Sequence, residues 1–382
     1  MCGITGIVPS QKWRPENQES AIQGMTDALI HRGPDAGGTW IGDDILLGHR
    51  RLSVIDVNHG DQPMVGPDGS VLIFNGEIYN YIELRKDLMN KGVSFQTDSD
   101  TEVLLRLIEL KGESCLNLLV GMFAFAHWNP NTKKLFLARD RFGKKPLFYA
   151  QNENLFAFAS EIKALLTVDQ IANRAQIDAY ALSDFLSLGY ILSPKTIYKN
   201  IVQLPAAHCA VFDLASRQFA MREYWKLEDF VLAPKITFDH KAEEIFSNLL
   251  DDAVKIRLRS DVPLGAFLSG GMDSSAVLSH MTRYSHEKSH AYCVSYGEAS
   301  YDESEAAAET AEFLNVPLEC FPHEIMKRED LSKLIWQIDE PFADTSIIPS
   351  YLLNQSARKS VTVALSGDGA DEFLAGYPTY MA

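Results

Sequence analysis

Apolar residues in the first half of the chain come in short runs broken by turn formers, a pattern of strands with a few helices. Val71–Phe74 is such a run and ends at the turn-like Asn75-Gly76, after which Tyr81–Asn90 takes up helical spacing. Thr101–Lys111 places Val103, Leu104, Leu107 and Ile108 on one helical face and is expected to stop at Gly112. Leu118–Trp128 and Lys134–Ala138 read as strands joined through Asn129-Pro130-Asn131, a hairpin signal, and Phe148 and Leu155–Ala159 continue in that style. The expectation is stacked β-sheets with flanking helices.

The pattern changes after about residue 215. Polar and aromatic residues over Arg222–Asp239 look like a connector. Beyond it, helical spacing in Lys241–Arg257 is followed by strand Val262–Leu268, helix Ser274–Arg283 and strand His290–Tyr296. Helix Asp302–Leu314, strand Pro317–Phe321, two further helical segments and strand Val361–Leu365 complete the series. This alternation predicts an α/β, doubly wound parallel sheet whose ligands bind at the carboxyl ends of its strands. The predicted division is a first domain over 2–214, a connector over 215–239 and a second domain over 240–382.

Length and composition narrow the picture further. The 382 residues exceed one ordinary core and suit two. A formal charge of −16 excludes a general role on nucleic acid or anionic membranes, while leaving room for a local phosphate pocket. No basic start with an apolar stretch opens the chain, and no run approaches the roughly 18 apolar residues of a membrane helix, so a cytoplasmic protein is expected. Five cysteines (Cys2, Cys115, Cys209, Cys293 and Cys320) are scattered without metal-ligand pairing. Four of them are expected to be small core residues in a reducing compartment.

Cys2 is the exception. The small residue at position 2 permits removal of Met1, and a terminal cysteine then carries its own base, because an α-amino group has a reference pKa near 7.7–8. Arg51 offers a planar fork for an α-carboxylate. Asn75 and Gly76 offer an amide and a backbone N–H as oxyanion donors, and Glu77 and Asp100 are two carboxylates for an α-ammonium group. Together they describe a site for a zwitterionic amino acid with a side-chain amide, which is glutamine.

In the second half, Ser269-Gly270-Gly271-Met272-Asp273-Ser274-Ser275 follows a strand and opens a helix. Bare glycine backbone and helix N-terminal N–H groups suit a pyrophosphate, with the hydroxyls of Ser269, Ser274 and Ser275 as further donors. Asp273 would repel phosphate unless a cation intervenes, so it reads as a Mg²⁺ ligand. Ser366-Gly367-Asp368-Gly369-Ala370-Asp371-Glu372 is a second strand-end loop, and the two suggest one nucleotide–metal site.

Met1-Cys2-Gly3-Ile4, His31-Arg32-Gly33-Pro34-Asp35, Arg51-Leu52-Ser53, Asn75–Asn80, Gly121-Met122-Phe123-Ala124-Phe125 and Arg139-Asp140-Arg141-Phe142-Gly143 resemble the class II glutamine amidotransferases, over about the first 165 residues. The resemblance implies an α+β N-terminal-nucleophile hydrolase fold, a four-layer αββα sandwich, ahead of an incomplete α/β ATP pyrophosphatase-type domain. It implies Cys2 as nucleophile, Asn75 and Gly76 as oxyanion hole, and Arg51, Leu52, Ser53, Val54, Ile55, Asn75, Gly76, Glu77 and Asp100 around glutamine. With the Ser-Gly-Gly-x-Asp-Ser loop, the whole resembles the glutamine-hydrolysing asparagine synthetases. There a substrate carboxylate attacks the α-phosphorus of ATP, and ammonia carried through an internal channel displaces AMP.

By that resemblance Leu268, Ser269, Gly270, Gly271, Asp273, Ser274, Val294, Ser366 and Gly367 bind ATP, Asp368 serves adenylate formation, and Asp273 with Asp371 holds Mg²⁺. Two departures bear on the acceptor. The aspartate-using enzymes carry Glu where Asp368 stands, and an Arg-containing stretch where this chain reads Asp344-Thr345-Ser346-Ile347-Ile348-Pro349-Ser350. Aspartate is the expected acceptor, with a sugar-acid, peptide or antibiotic-precursor carboxylate as alternative. A homodimer is left open. The family's synthetase domain continues for roughly as long again past the second loop, so the ending Tyr377-Pro378-Thr379-Tyr380-Met381-Ala382 suggests a fragment; a truncated glutaminase-only or regulatory protein is the other reading.

Overall fold

The computed structural model describes residues 1–10, 13, 16–284, 289–297, 302–322, 325–377 and 380. Pro378, Thr379, Met381 and Ala382 of the chain's ending therefore lie outside the described residues. The chain forms two units: Met1–Ala233 with Ile335–Ala343, and Pro234–Leu334 with Asp344–Ala382.

The first unit opens with β1 (Gly3–Pro9), α1 (Gln18–Asp27), β2 (Ala36–Ile41), β3 (Leu46–Arg51), β4 (Met64–Val65) and β5 (Val71–Ile78). It continues through α2 (Tyr81–Met89), α3 (Asp100–Lys111), β6 (Gly121–Asn129), β7 (Lys134–Arg139), β8 (Phe148–Gln151) and β9 (Leu155–Ala159). Helices α4 (Ile162–Leu165), α5 (Asp169–Ala172) and α6 (Ala179–Leu188) precede β10 (Val202–Gln203), β11 (His208–Asp213), β12 (Gln218–Glu223) and α7 (Glu228–Val231). Two six-stranded sheets result, ordered β10-β8-β9-β1-β3-β2 and β12-β11-β7-β6-β5-β4.

Strand alternation stacks these sheets. Phe156 and Phe158 of β9 turn inward to meet Ile73, Trp128 and Phe212 of the other sheet, while Leu155, Ala157 and Ala159 turn outward onto Ile22, Met25, Ile162 and Leu165. In β5, Val71 and Ile73 face the sheet interface, and Leu72 and Phe74 face Leu84, Leu88, Val103 and Leu104 of α2 and α3. The central strands of both sheets are buried on both faces, which explains apolar runs without polar alternation, while of the edge strands β12 is largely exposed and β2 partly so. The four layers are helix, sheet, sheet, helix, as the resemblance implied. Helix α3 starts at an Ser99 cap that accepts from Glu102 N–H and ends at Gly112, whose φ of 55° suits only glycine without strain.

Gln218–Glu223 fell within the expected connector, but as β12 it pairs with β11 along its full length. The nine residues Ile335–Ala343 also group with the first unit, although they lie within the expected second domain. Both come from long-range pairing that local pattern does not encode.

The second unit contains α8 (His240–Arg257), β13 (Leu264–Phe267), α9 (Met272–Thr282), β14 (His290–Ser295), α10 (Ser304–Phe313) and β15 (Leu318–Pro322). Helix α11 (Arg328–Ile338) leads out of it, and α12 (Ile347–Ala357), β16 (Val363–Leu365) and α13 (Ala370–Leu374) follow. The four strands are parallel in the order β15-β14-β13-β16. Ala266, Leu268, Ala291 and Cys293 pack against α8, α9 and α10 residues on one face, and Tyr292 packs with Ala357 and Leu353 of α12 on the other. The sheet is doubly wound. Its order reverses beside β13, so the loops after β13 and β16 flank the switch point where such sheets bind ligands.

One expectation about the cysteines is corrected. Cys293 and Cys320 stand opposite each other in the β14–β15 register, Cα atoms 4.7 Å apart, and form a disulfide. Cys320 is exposed rather than core, whereas Cys115 and Cys209 are buried and free. Scattered spacing concealed the pair because register between strands brings them together. No described helix is long and apolar enough to cross a membrane.

Candidate functional site

In the first unit Cys2 lies just ahead of β1. Its Sγ accepts from the Leu52 N–H at 3.4 Å and lies 3.7 Å from the Leu52 carbonyl. Burial pushes the thiol pKa up, while the terminal ammonium, the Leu52 N–H and Lys145 oppose that rise. The terminal ammonium, here on Met1, is held down at about 5 mainly by burial. Arg32 Nε donates to the Cys2 carbonyl at 2.8 Å.

The strand expected to turn at Asn75-Gly76 runs straight through both residues, with Asn75 opposite Ala124 and Gly76 opposite Phe123. A Cβ on Gly76 would lie 2.1 Å from the Met122 carbonyl oxygen, so glycine serves close strand approach here, not a turn. Gly76→Ala is expected to open this pair and cost about 1–3 kcal/mol, measured as a lowered Tm; an unchanged Tm would show that the strands yield freely. Asn75 is fully buried, and neither atom of its amide has a partner among the described residues. Leaving such a group unpaired costs on the order of 1–3 kcal/mol, which a ligand carbonyl would offset. One residue earlier, the Phe74 carbonyl lies 3.1 Å from His49 Nε2 in the other sheet. Burial lowers the His49 pKa to about 3, so the ring is neutral and Nε2–H donates.

Asp100, at the start of α3, accepts from the Ile78 N–H at 3.0 Å. Burial, with the Glu77 carboxylate adding to it, pushes its pKa up to about 7. Two acids thus share a buried corner next to the Asn75 strand, a setting that favours an arriving ammonium group. Arg51 is differently engaged than its residue type suggested. Its Nη atoms bind the carbonyls of Ile55, Asp56 and Val57 and the Asp61 carboxylate at 2.6–3.1 Å, shaping the loop after β3. Ser53 in that loop donates its N–H to Asp35 at 2.9 Å. Leu52, Ser53 and Val54 are half-buried and Ile55 is buried.

Residues not singled out from the sequence complete this corner. The Asp140 carboxylate collects N–H groups from Phe123, Phe142, Lys144 and Lys145 at 3.0–3.1 Å and so fixes the loop that presents Lys145. Lys145 is buried, and burial lowers its pKa against the opposing pull of Glu77 and Cys2. Asp140 and Arg32 sit in the sequence blocks that carried the resemblance. Lys145 had no such signal beyond a lysine beside an apolar run.

In the second unit, Leu268, Ser269, Gly271, Asp273, Ser274, Val294, Ser366, Gly367, Asp368 and Asp371 line one cavity of about 1200 Å³. Of the expected nucleotide set only Gly270 is off its wall; its N–H donates to Glu303 at 3.0 Å. The loop's hydroxyls bind each other: Ser269 Oγ and Ser274 Oγ are 2.9 Å apart, and Ser275 donates to the Gly271 carbonyl at 2.8 Å. They hold the loop's shape more than they offer themselves to a ligand. Helix α9 begins at Gly271 with no side-chain cap, leaving N-terminal N–H groups for an anion. A Cβ on Gly367 would lie 2.8 Å from Ser274 N, so the two loops touch and only glycine fits between them.

Asp273, Asp368, Asp371 and Glu372 converge on this cavity. One or two carboxylates with room for phosphate oxygens is the donor set Mg²⁺ prefers, and these residues fit it. The described residues contain no group of three or more His, Cys, Asp or Glu that could hold a metal ion. Ser346, Pro349 and Ser350, from the stretch that departs from the Arg-containing pattern, and Asn354 one helical turn beyond it supply an uncharged wall.

Residues 1–225 match a family described as a glutamine amidotransferase domain, and residues 246–382 one described as asparagine synthase. The chain is 38% identical over its whole length to asparagine synthetase [glutamine-hydrolyzing] 1 of Bacillus subtilis, covering 59% of that protein. It is also 38% identical over its whole length to the putative asparagine synthetase [glutamine-hydrolyzing] 2 of Methanocaldococcus jannaschii, covering 76% of it. It thus spans about three fifths of the first relative and three quarters of the second. A solved glutamine phosphoribosylpyrophosphate amidotransferase from B. subtilis aligns at TM-score 0.43 and 17% identity, over 87% of this chain and 70% of that one.

Proposed function

Since the chain belongs to the glutamine-hydrolysing asparagine synthetase family, we propose that it hydrolyses glutamine at Cys2 and directs the ammonia to a carboxylate activated by ATP. The observation that carries the first step is the buried, partnerless Asn75 amide, in the strand that also carries Gly76 and Glu77. Once Met1 is removed, the Cys2 amine accepts the thiol proton and the thiolate attacks the glutamine carboxamide carbon. The Asn75 amide and the Gly76 N–H take the developing oxyanion. Ammonia leaves with the proton, and water opens the thioester to release glutamate. Glu77 and Asp100 hold the substrate ammonium, and the loop over Leu52, Ser53, Val54 and Ile55, which Arg51 shapes through its Nη atoms, holds the carboxylate end.

In the second unit the acceptor carboxylate attacks the α-phosphorus of ATP, pyrophosphate departs, and ammonia displaces AMP. Leu268 and Val294 flank the adenosine, and Ser269, Gly270, Gly271, Ser274, Ser366 and Gly367 surround the phosphates. Asp368 serves adenylate formation, and Asp273 and Asp371 would hold Mg²⁺. When bound, the ion supplies neutralisation of charge on the departing pyrophosphate. Aspartate is the acceptor we propose, in a cytoplasmic protein. A sugar-acid or peptide carboxylate is the second reading, favoured by the uncharged wall at Ser346, Pro349, Ser350 and Asn354. Incubation with glutamine, Mg-ATP and a panel of carboxylates, following glutamate, AMP and pyrophosphate, tests both. Aspartate-dependent AMP supports the first, AMP with another acceptor supports the second, and glutamate without AMP throughout would leave only the glutaminase.

Asp100 must be ionised to take an ammonium group, and its pKa stands at about 7. Below that pH it protonates, so kcat/KM for glutamine is expected to fall on the acid side of about 7. Asp100→Asn should raise KM about tenfold to hundredfold and flatten that limb. An unchanged acid limb in the variant would assign it to another group. For folding the sign is opposite: with its pKa raised above the unfolded value near 3.9, Asp100 stabilises most below that value, and the contribution is lost as pH rises through 7.

A further inference from the structure

The Cys2 carbonyl is the end of a chain of buried charges that alternate in sign. Arg32 Nε donates to it at 2.8 Å, and Arg32 Nη1 donates to Glu161 Oε1, also at 2.8 Å. The second Glu161 oxygen takes Lys163 Nζ, which in turn lies 3.2 Å from Asp339 Oδ1. Asp339 closes the chain by accepting the Lys163 backbone N–H on both oxygens at 3.1 Å. Trp336 lies under it, its ring 4.7 Å from Lys163 Nζ and edge-on to His31 at 5.0 Å. His31 Nε2 is 2.9 Å from Glu161 Oε2. All four charged side chains are about nine-tenths buried. Asp339 and Trp336 belong to the stretch Ile335–Ala343, more than a hundred residues past the amidotransferase match yet part of the first unit.

We infer that Asp339 is a positioning residue for glutamine hydrolysis: through Lys163, Glu161 and Arg32 it holds the carbonyl of Cys2, and with it the aim of the thiol and the amine. The inference rests on the reading of Cys2 as nucleophile. Two cations and two carboxylates balance along the chain, so removing an end charge leaves its neighbour buried and unmatched. Lys163 then keeps Glu161 as its one carboxylate, beside the Gln337 carbonyl at 3.4 Å and the Trp336 ring; Glu161 shifts toward it, and Arg32 follows. A displacement of the order of 1 Å at a reacting group can cost about a hundredfold in rate. The burial that lowers solvent screening is the same burial that keeps this shift from relaxing locally. Glu161 itself is held ionised, at about 2, against burial by His31, Arg32 and Lys163.

The test uses the full 382-residue chain. Asp339→Asn keeps the shape and removes the charge. It is expected to lower kcat for glutamine hydrolysis about tenfold, part of that hundredfold, with KM for glutamine changed less than about twofold and with slower alkylation of the Cys2 thiol by iodoacetamide. Asp339→Glu should recover part of the loss. An unchanged kcat, or a loss confined to KM, would overturn the inference. If Asp339→Asn does not fold, Lys163→Arg and Lys163→Met replace it: the arginine variant should lose less than the methionine one, and equal activities overturn the inference. The parent reading fails separately, if the wild-type chain still hydrolyses glutamine after Cys2 is alkylated.

Discussion

Cys2→Ala is expected to abolish glutamate release from glutamine, by about four orders of magnitude or more, as removal of a covalent nucleophile does. The variant should fold as the parent does, because the Cys2 side chain contacts Leu52 and belongs to none of the hydrophobic clusters. Ammonia supplied from solution bypasses the lost step, so ammonia-driven amidation is expected to survive. The loss should also appear in kcat with glutamine still bound, since Glu77, Asp100 and the loop after β3 are untouched. A calorimetric titration of the variant with glutamine checks this. Persisting hydrolysis would remove Cys2 from the nucleophile role.

Asp273→Asn is expected to weaken binding of Mg-ATP by about tenfold to hundredfold, measured by calorimetry. The argument turns on sign. Asp273 lies in the first turn of α9 and lines the cavity that Ser366, Gly367 and Asp371 also line. A carboxylate there repels phosphate and attracts a divalent cation. Without magnesium, the same substitution should therefore leave ATP binding unchanged or slightly tighter. An amide that weakened both forms equally would point to loop distortion, and unchanged affinity for Mg-ATP would remove Asp273 from the metal site.

Much of the fold was legible because it is local. The hairpin around Asn129-Pro130-Asn131 joins β6 to β7, α3 stops at Gly112, and each alternating element of the second half appears within a few residues of its expected place. Asn75-Gly76 misled for a physical reason: the pair usually signals a turn, but here glycine answers the crowding of Met122 on the neighbouring strand. The Cys293–Cys320 pair, the pairing of β12 and the docking of Ile335–Ala343 depend on register and long-range contact, which periodicity cannot carry. The same limit applies to side chains. Asn75, Glu77 and Asp100 could be grouped by the chemistry of one substrate, whereas Lys145, Glu161 and Lys163 are isolated charges whose meaning appears only when the chain has folded around Cys2.

The excursion of residues 335–343 also sets a schedule for synthesis. The first unit's continuous part ends at Ala233, and its last piece ends 110 residues later at Ala343. At roughly 5–20 residues per second on the ribosome, about 5–20 seconds pass between them. Throughout that interval the nascent unit can form both sheets and its core but lacks Asp339 and Trp336. Lys163 must wait with a single carboxylate partner. The charge chain behind Cys2 is thus completed late, when the second unit's first three strands have already emerged, and a ribosome stalled before residue 339 would carry a folded sandwich without its final brace.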